Sequence, residues 1–118
     1  MDVEQFRAYM LAKKGVTEEF PFGPDALVFK VMGKMFGITD LSKIPFQANL
    51  KQDPEKSLEL RDTYDGRIIP GFHMNKKHWN THFMQELPTE LLHQLIDDSY
   101  HLVVSKLTKK QKEELAQL

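Results

Sequence analysis

The last third of the chain carries its clearest periodic signal. Leu91, Leu92, Leu95, Ile96, Ser99, Leu102, Val103 and Leu107 recur at steps of three and four, the broad apolar stripe of a helix packed on a sheet. Pro88 opens that helix, and Thr108 with Gln111 forms a capping box for a short final one through Leu115. At the other end Asp2 and Gln5 make a second capping box, Val3, Phe6 and Met10 follow at helical spacing, and Gly15 stops the helix.

Between these ends the period shortens to two. Leu27–Met32 and Met35–Ile38 are rich in strand formers, and a turn at Gly33-Lys34 joins them as a hairpin with Lys30 on its outer side. In Phe46–Lys51, Phe46, Ala48 and Leu50 point inward while Gln47, Asn49 and Lys51 point outward. Asp53-Pro54 starts a helix that ends at Asp65-Gly66, and Ile68–Pro70 is a short extended piece. Within Gly71–Met84, alternation places Trp79, Thr81 and Phe83 on an aromatic inner face and His78, Asn80 and His82 on a hydrogen-bonding outer face. Val16–Asp25 holds two prolines and a glycine and predicts a loop, with Phe20 and Phe22 anchoring it on the core. The resulting order, α-β-β-β-α-β-α-α, is that of an α+β fold, an antiparallel sheet with helices packed on it. No repeat or linker divides residues 1–118, which form one domain.

Composition narrows the function classes. With 41% apolar and 28% charged residues the chain is globular, and the absence of cysteine removes disulfides, thiolate metal sites and cysteine nucleophiles. No apolar run nears the roughly 20 residues of a membrane helix, and the N-terminus lacks a signal pattern. A soluble cytoplasmic protein that engages no membrane is expected. The net charge of −1 hides a segregation. Lys30, Lys34, Lys43 and Lys51 face only Asp40 between residues 26 and 51, and Arg67, Lys76 and Lys77 face no acid between residues 66 and 82. The acids gather in the helical segments, so the sheet should be cationic.

Catalytic constellations are weak. Gly33-Lys34 lacks the upstream glycine and following hydroxyl of a phosphate loop. His78 and His82 stand roughly 13 Å apart on a strand, too far for one metal ion, and His73 does not complete a site. Ser42, Ser57, Ser99 and Ser105 have no nucleophile context, and Asp97-Asp98 diverge by about 100° on a helix and read as a solvated edge. No catalytic residue, metal or cofactor is expected. The residues point instead to phosphate-directed nucleic-acid binding through Lys30, Lys34, Asn49, Lys51, Lys76, Lys77, Asn80 and His82. Alternatives are a protein-interaction module that meets an acidic partner with the same face, and a small-ligand pocket near Trp79 and the Phe20–Phe22 loop.

Four segments in order, FPFGPDALVFKVMGKMFG, PFQANLKQDPEKSLELR, IIPGFHMNKKHWNTHF and LIDDSYHLVVSKL, resemble the MmcQ/YjbR family over nearly the whole chain. The most specific piece is the His73, Asn75, Lys76, His78 and Trp79 motif, and the Ser99-Tyr100 pair also fits. The resemblance implies a small bacterial α+β domain described as DNA-binding through a double wing. It leaves open whether His73, Asn75, His78 and Trp79 touch a ligand or pin the turn before the strand.

Overall fold

The computed structural model describes residues 1–71 and 74–118. Its elements are α1 (Val3–Leu11), β1 (Val16–Glu19), β2 (Ala26–Val31), β3 (Lys34–Asp40), β4 (Gln47–Lys51), α2 (Pro54–Thr63), β5 (Ile68–Pro70), β6 (Trp79–Phe83), α3 (Thr89–Ser105) and α4 (Lys109–Ala116). The six strands form one sheet in the order β1-β2-β3-β4-β6-β5, every neighbouring pair antiparallel. α2 carries the chain from β4 across to β5, and β6 then inserts between them. The α+β architecture follows the sequence expectation, with two additions. Val16–Glu19, read as loop, pairs with β2 as an edge strand, and Ile68–Pro70 is the opposite edge.

Both predicted capping boxes form, at Asp2/Gln5 and Thr108/Gln111, and Asp53 caps α2 ahead of Pro54. These local signals need only neighbours in sequence, so they survive folding unchanged. The hairpin turn lies one residue earlier than expected. Val31 pairs with Lys34, and Met32 and Gly33 both take positive φ, 48° and 79°. That is the geometry a two-residue hairpin loop requires to match strand twist, and it puts Lys34 at the start of β3.

All four helices contribute to a single core: Phe6 and Met10 from α1, Leu60 from α2, Leu92, Leu95, Ile96 and Val103 from α3, and Leu115 from α4. They pack on Leu27, Phe29, Phe36, Ala48, Leu50 and Ile68 of the sheet. The helices therefore cover one face. The other face carries Ala26, Ile38 and Asn49, and no helix lies over it among the described residues. Phe20 and Phe22 do not anchor the 20–25 loop on the core as expected. They are 50% and 72% exposed, and Phe22 stands beside the helix-free face of the sheet rather than in the core.

The register slips in β3. Phe29 faces Gly37 and Lys30 faces Met35, leaving Phe36 as an extra residue. The bulge turns both Phe36 and Gly37 toward the helices. Phe36 packs edge-on to Tyr100, and Met10 Cε fills the space a side chain on Gly37 would need.

Candidate functional site

The sequence-predicted site divides into three parts. The alternation in β6 is correct, but its polarity is inverted. His82 pairs with Ala48 and Ile68, and Asn80 pairs with Leu50, all on the helix-covered side. His82 is 2% exposed and Asn80 fully buried, so neither reaches a partner at the surface. Trp79 and Thr81 point to the other face with Lys51 and Asn49, and are buried there without joining the main core. Burying polar residues is costly; here the Ala48 carbonyl at His82 and Arg61 at Asn80 offset much of that cost.

His82 Nδ1 lies 3.1 Å from the Ala48 carbonyl, which fixes the proton on that nitrogen. Burial holds its pKa down to about 4, against 6.5 ordinarily, with backbone hydrogen bonds opposing only partly. It is neutral at physiological pH. Asn80 Oδ1 accepts a 2.7 Å bond from Arg61 Nε of α2. Arg61 also donates to the carbonyls of Lys76 and Trp79, so one guanidinium pins the segment leading into β6. The Asn80 amide nitrogen has no partner among the described residues. Arg61 lies in a helix whose other charges are mostly acidic. Its partners lie 15 to 19 positions away, and no local pattern marks them.

Replacing Arg61 with methionine is expected to cost about 2–3 kcal/mol, since it strands buried Asn80 Oδ1 and two carbonyls. Urea unfolding measures it, and amide exchange should quicken at Lys77 and His78 first.

The second part is the turn before β6. Asn75 accepts from Lys77 N–H through its side chain, and its carbonyl accepts from the amides of His78 and Trp79. The His78 carbonyl takes the Gln52 amide at 2.7 Å. Gly71 donates to the Trp79 carbonyl, and a side chain there would meet Trp79 Cβ at 2.8 Å. Asn75, His78 and Trp79 thus serve the turn. His73 lies outside the described residues.

The lysines are the third part. Lys30 is on the helix-free face as expected, but its ammonium is 2.7 Å from Glu19 and neutralised. Asn49 accepts from the Thr81 hydroxyl and faces the Met74 sulfur. Lys34, Lys76 and Lys77 are exposed and Lys51 partly so, and none of the four is ion-paired among the described residues. The antiparallel ladder brings them to one end of the sheet: β3 begins there at Lys34, β4 ends there at Lys51, and β6 begins there after Lys76-Lys77. Asp53 and Glu55 at the start of α2 share that end and dilute its charge.

Asp97 and Asp98 are not a solvated edge. Asp97 accepts from Tyr9 and Lys13, tying α3 to α1. Asp98 accepts from Lys56 at 2.9 Å and from Gln52 and Gln94. Burial alone would raise both carboxyls; the lysine ammoniums and neighbouring donors outweigh it and hold both below the ordinary value. Ser99 receives the Lys51 amide and donates to the Phe36 carbonyl, and the Tyr100 hydroxyl donates to the Lys14 carbonyl. Four consecutive side chains reach four different parts of the fold, because successive helical positions diverge by about 100°. Among the described residues, no three histidine or acidic side chains are placed to hold a metal ion, and no helix is long and apolar enough to cross a membrane.

The chain is similar to known proteins in sequence and in fold. The chain is 47% identical to YbdF of Escherichia coli O157:H7 over 93 residues, 77% of this chain and 75% of that one. It is 28% identical to YjbR of Escherichia coli K12 over the full length of both. A Deinococcus radiodurans crystal structure with a DUF419 domain superposes with a TM-score of 0.89 at 40% identity, over 97% of this chain and 87% of that one. A Pseudomonas syringae structure superposes at 0.75 with 30% identity, over 86% and 98%. The YjbR family model matches residues 11–102, and the chain belongs to the YjbR family.

Proposed function

We propose that this is a non-catalytic nucleic-acid-binding protein that grips the phosphate backbone with two loops at one end of its sheet. The observation that carries the reading is the convergence of the β2–β3 hairpin tip, bearing Lys34, with the Lys76-Lys77 turn, beside Lys51. Two cationic projections on a rigid sheet suit the double-wing mode that the family resemblance implies. Asn80 and His82 drop out of the contact set because they are buried, and Lys30 because Glu19 holds it. Lysine without arginine favours phosphate over base edges, so binding is non-specific in sequence. A non-catalytic role is supported by the occupied state of the polar groups: Ser99 is bonded on both sides, Asp97 and Asp98 serve different helices, and His82 is enclosed.

Four phosphate contacts give a salt slope, log K against log salt, of about −3.5. The Lys76→Glu/Lys77→Glu variant should bind a duplex at least tenfold more weakly at about 50 mM salt, with a slope shallower by about two. Fluorescence anisotropy across salt measures both. Equal affinity for the two proteins, or no binding by the wild type at low salt, removes the reading.

One observation favours a second reading, contact with an acidic protein segment. Leu58 is 63% exposed in a groove that also contains Pro54, Arg61, Lys76 and Lys77. A Leu58→Ser variant separates the two, since it adds no charge beside Lys76 and Lys77 and should spare DNA affinity while weakening a protein contact.

A further inference from the structure

We propose that the helix-free face of the sheet is a binding site for an uncharged, flat heteroaromatic molecule. The site is independent of the cationic end and goes beyond the nucleic-acid reading.

An antiparallel sheet with one face turned to water normally alternates apolar inside with polar outside. This sheet does not. Ala26, Met35 and Ile38 occupy the face away from the helices, and Met74 approaches them from the turn before β6. Phe22 stands at the rim, 72% exposed, a ring with no place in the core. Together they bound a cavity of about 490 Å³, a volume within the range of small-molecule sites.

The lining selects a class of occupant. Two thioethers and a phenyl ring are soft, polarisable surfaces that favour the faces and edges of flat rings. The polar groups on the floor are carboxamides. Gln47 and Asn49 lie two residues apart on β4, so their side chains emerge on the same face about 7 Å apart. Asn49 is partly committed, accepting from the Thr81 hydroxyl. The Gln47 side chain makes no hydrogen bond among the described residues while its backbone carbonyl holds Thr39. A carboxamide both donates and accepts, so it matches an edge bearing an adjacent N–H and C=O. Formal charge is not selected. The Asp40 carboxylate at the rim is already bonded by the amide and hydroxyl of Ser42, at 2.9 and 2.6 Å, and Lys43 lies beside it. Charges of both signs at one rim give no net attraction to an anion or a cation.

The full chain labelled with ¹³C at its methionine methyls provides the test, because Met35 and Met74 line the cavity while Met10 and Met84 are fully buried in the core. Three probes divide the recognition elements: 2-quinolone carries the ring and the lactam edge, quinoline-2-carboxylate adds a charge, and δ-valerolactam keeps the edge without the ring. At about 1 mM, 2-quinolone should shift Met35 and Met74 and leave Met10 and Met84 in place. The other two probes should bind at least tenfold more weakly, and Gln47→Leu should weaken 2-quinolone at least fivefold with its unfolding midpoint unchanged. The proposal is overturned by unmoved Met35 and Met74 signals, by equal response to the carboxylate, or by equal affinity in Gln47→Leu. Shifts that follow protein dilution rather than probe would also overturn it, assigning the face to a second copy of the chain.

Discussion

Replacing Ser99 with alanine is expected to destabilise the protein by about 3 kcal/mol, roughly 12 °C in Tm. The loss comes from two backbone groups that a single hydroxyl serves. Beyond Gly37–Leu50, the next pair in the β3–β4 register is Phe36 with Lys51. The bulge at Phe36 parts them, and Ser99 Oγ fills the gap, accepting the Lys51 amide at 2.9 Å and donating to the Phe36 carbonyl. Ser99 is fully buried, and a methyl group there leaves an amide and a carbonyl desolvated with no partner. Calorimetry gives the magnitude. Native-state hydrogen exchange gives the mechanism, because the Lys51 amide should lose protection well beyond its neighbours. A drop below 1 kcal/mol, or an unchanged Lys51 amide, would show that water or backbone rearrangement replaces the hydroxyl. The result bears on the DNA proposal, since Lys51 is one of the four lysines it uses and the bulge sets where β3 delivers Lys34.

Acid should weaken the fold well before its carboxylates titrate. His82 in the folded chain titrates near pH 4, while in the unfolded chain it does so near 6.5. Between these values the unfolded state binds the extra proton, so stability is complete above pH 6.5 and declines as pH falls toward 4. The loss amounts to roughly 2–3 kcal/mol between pH 7.5 and 4.5. Asp97, Asp98 and Glu18 behave in the other window. Their folded values lie below the ordinary carboxylate value, so the stability they add is present at neutral pH and is lost only as pH falls below about 4. Urea unfolding at successive pH values resolves the two. The His82→Gln variant keeps a donor for Ala48 and should be flat from pH 7.5 to 4.5. A wild-type profile already flat over that range would mean that His82 is not neutral in the fold.

Arg61, Asp98 and Ser99 share a feature. Each is a polar side chain carried on a helix that finishes a bond the sheet cannot finish alone: Arg61 at β6, Ser99 at β3 and β4, Asp98 through Gln52 just past β4. The polar character of the central His-Asn-Trp stretch is thus largely spent inside the molecule. The DNA proposal uses the rim lysines, and the heteroaromatic proposal uses the methionine-lined face. The two lie on different parts of the sheet, so the DNA and heteroaromatic tests are independent.

The sequence by itself determined most of what depends on near neighbours. Caps at Asp2, Asp53 and Thr108, the stripe of α3, and the alternation of β4 were legible because a few adjacent residues specify each. Family membership was legible too, through four motifs in order. The tertiary structure decided what alternation leaves undetermined, namely which of two faces meets the helices. In β6 a period of two sorted Trp79 from Asn80 correctly but could not orient them, because the partners that make Asn80 and His82 tolerable inside come from α2 and β4. Edge strand β1 was hidden for a similar reason: pairing with β2, rather than its own four residues, makes Val16–Glu19 a strand and brings Glu19 to Lys30. Burial energy acts on the assembled layers, so the side a polar residue occupies is fixed only once those layers have met.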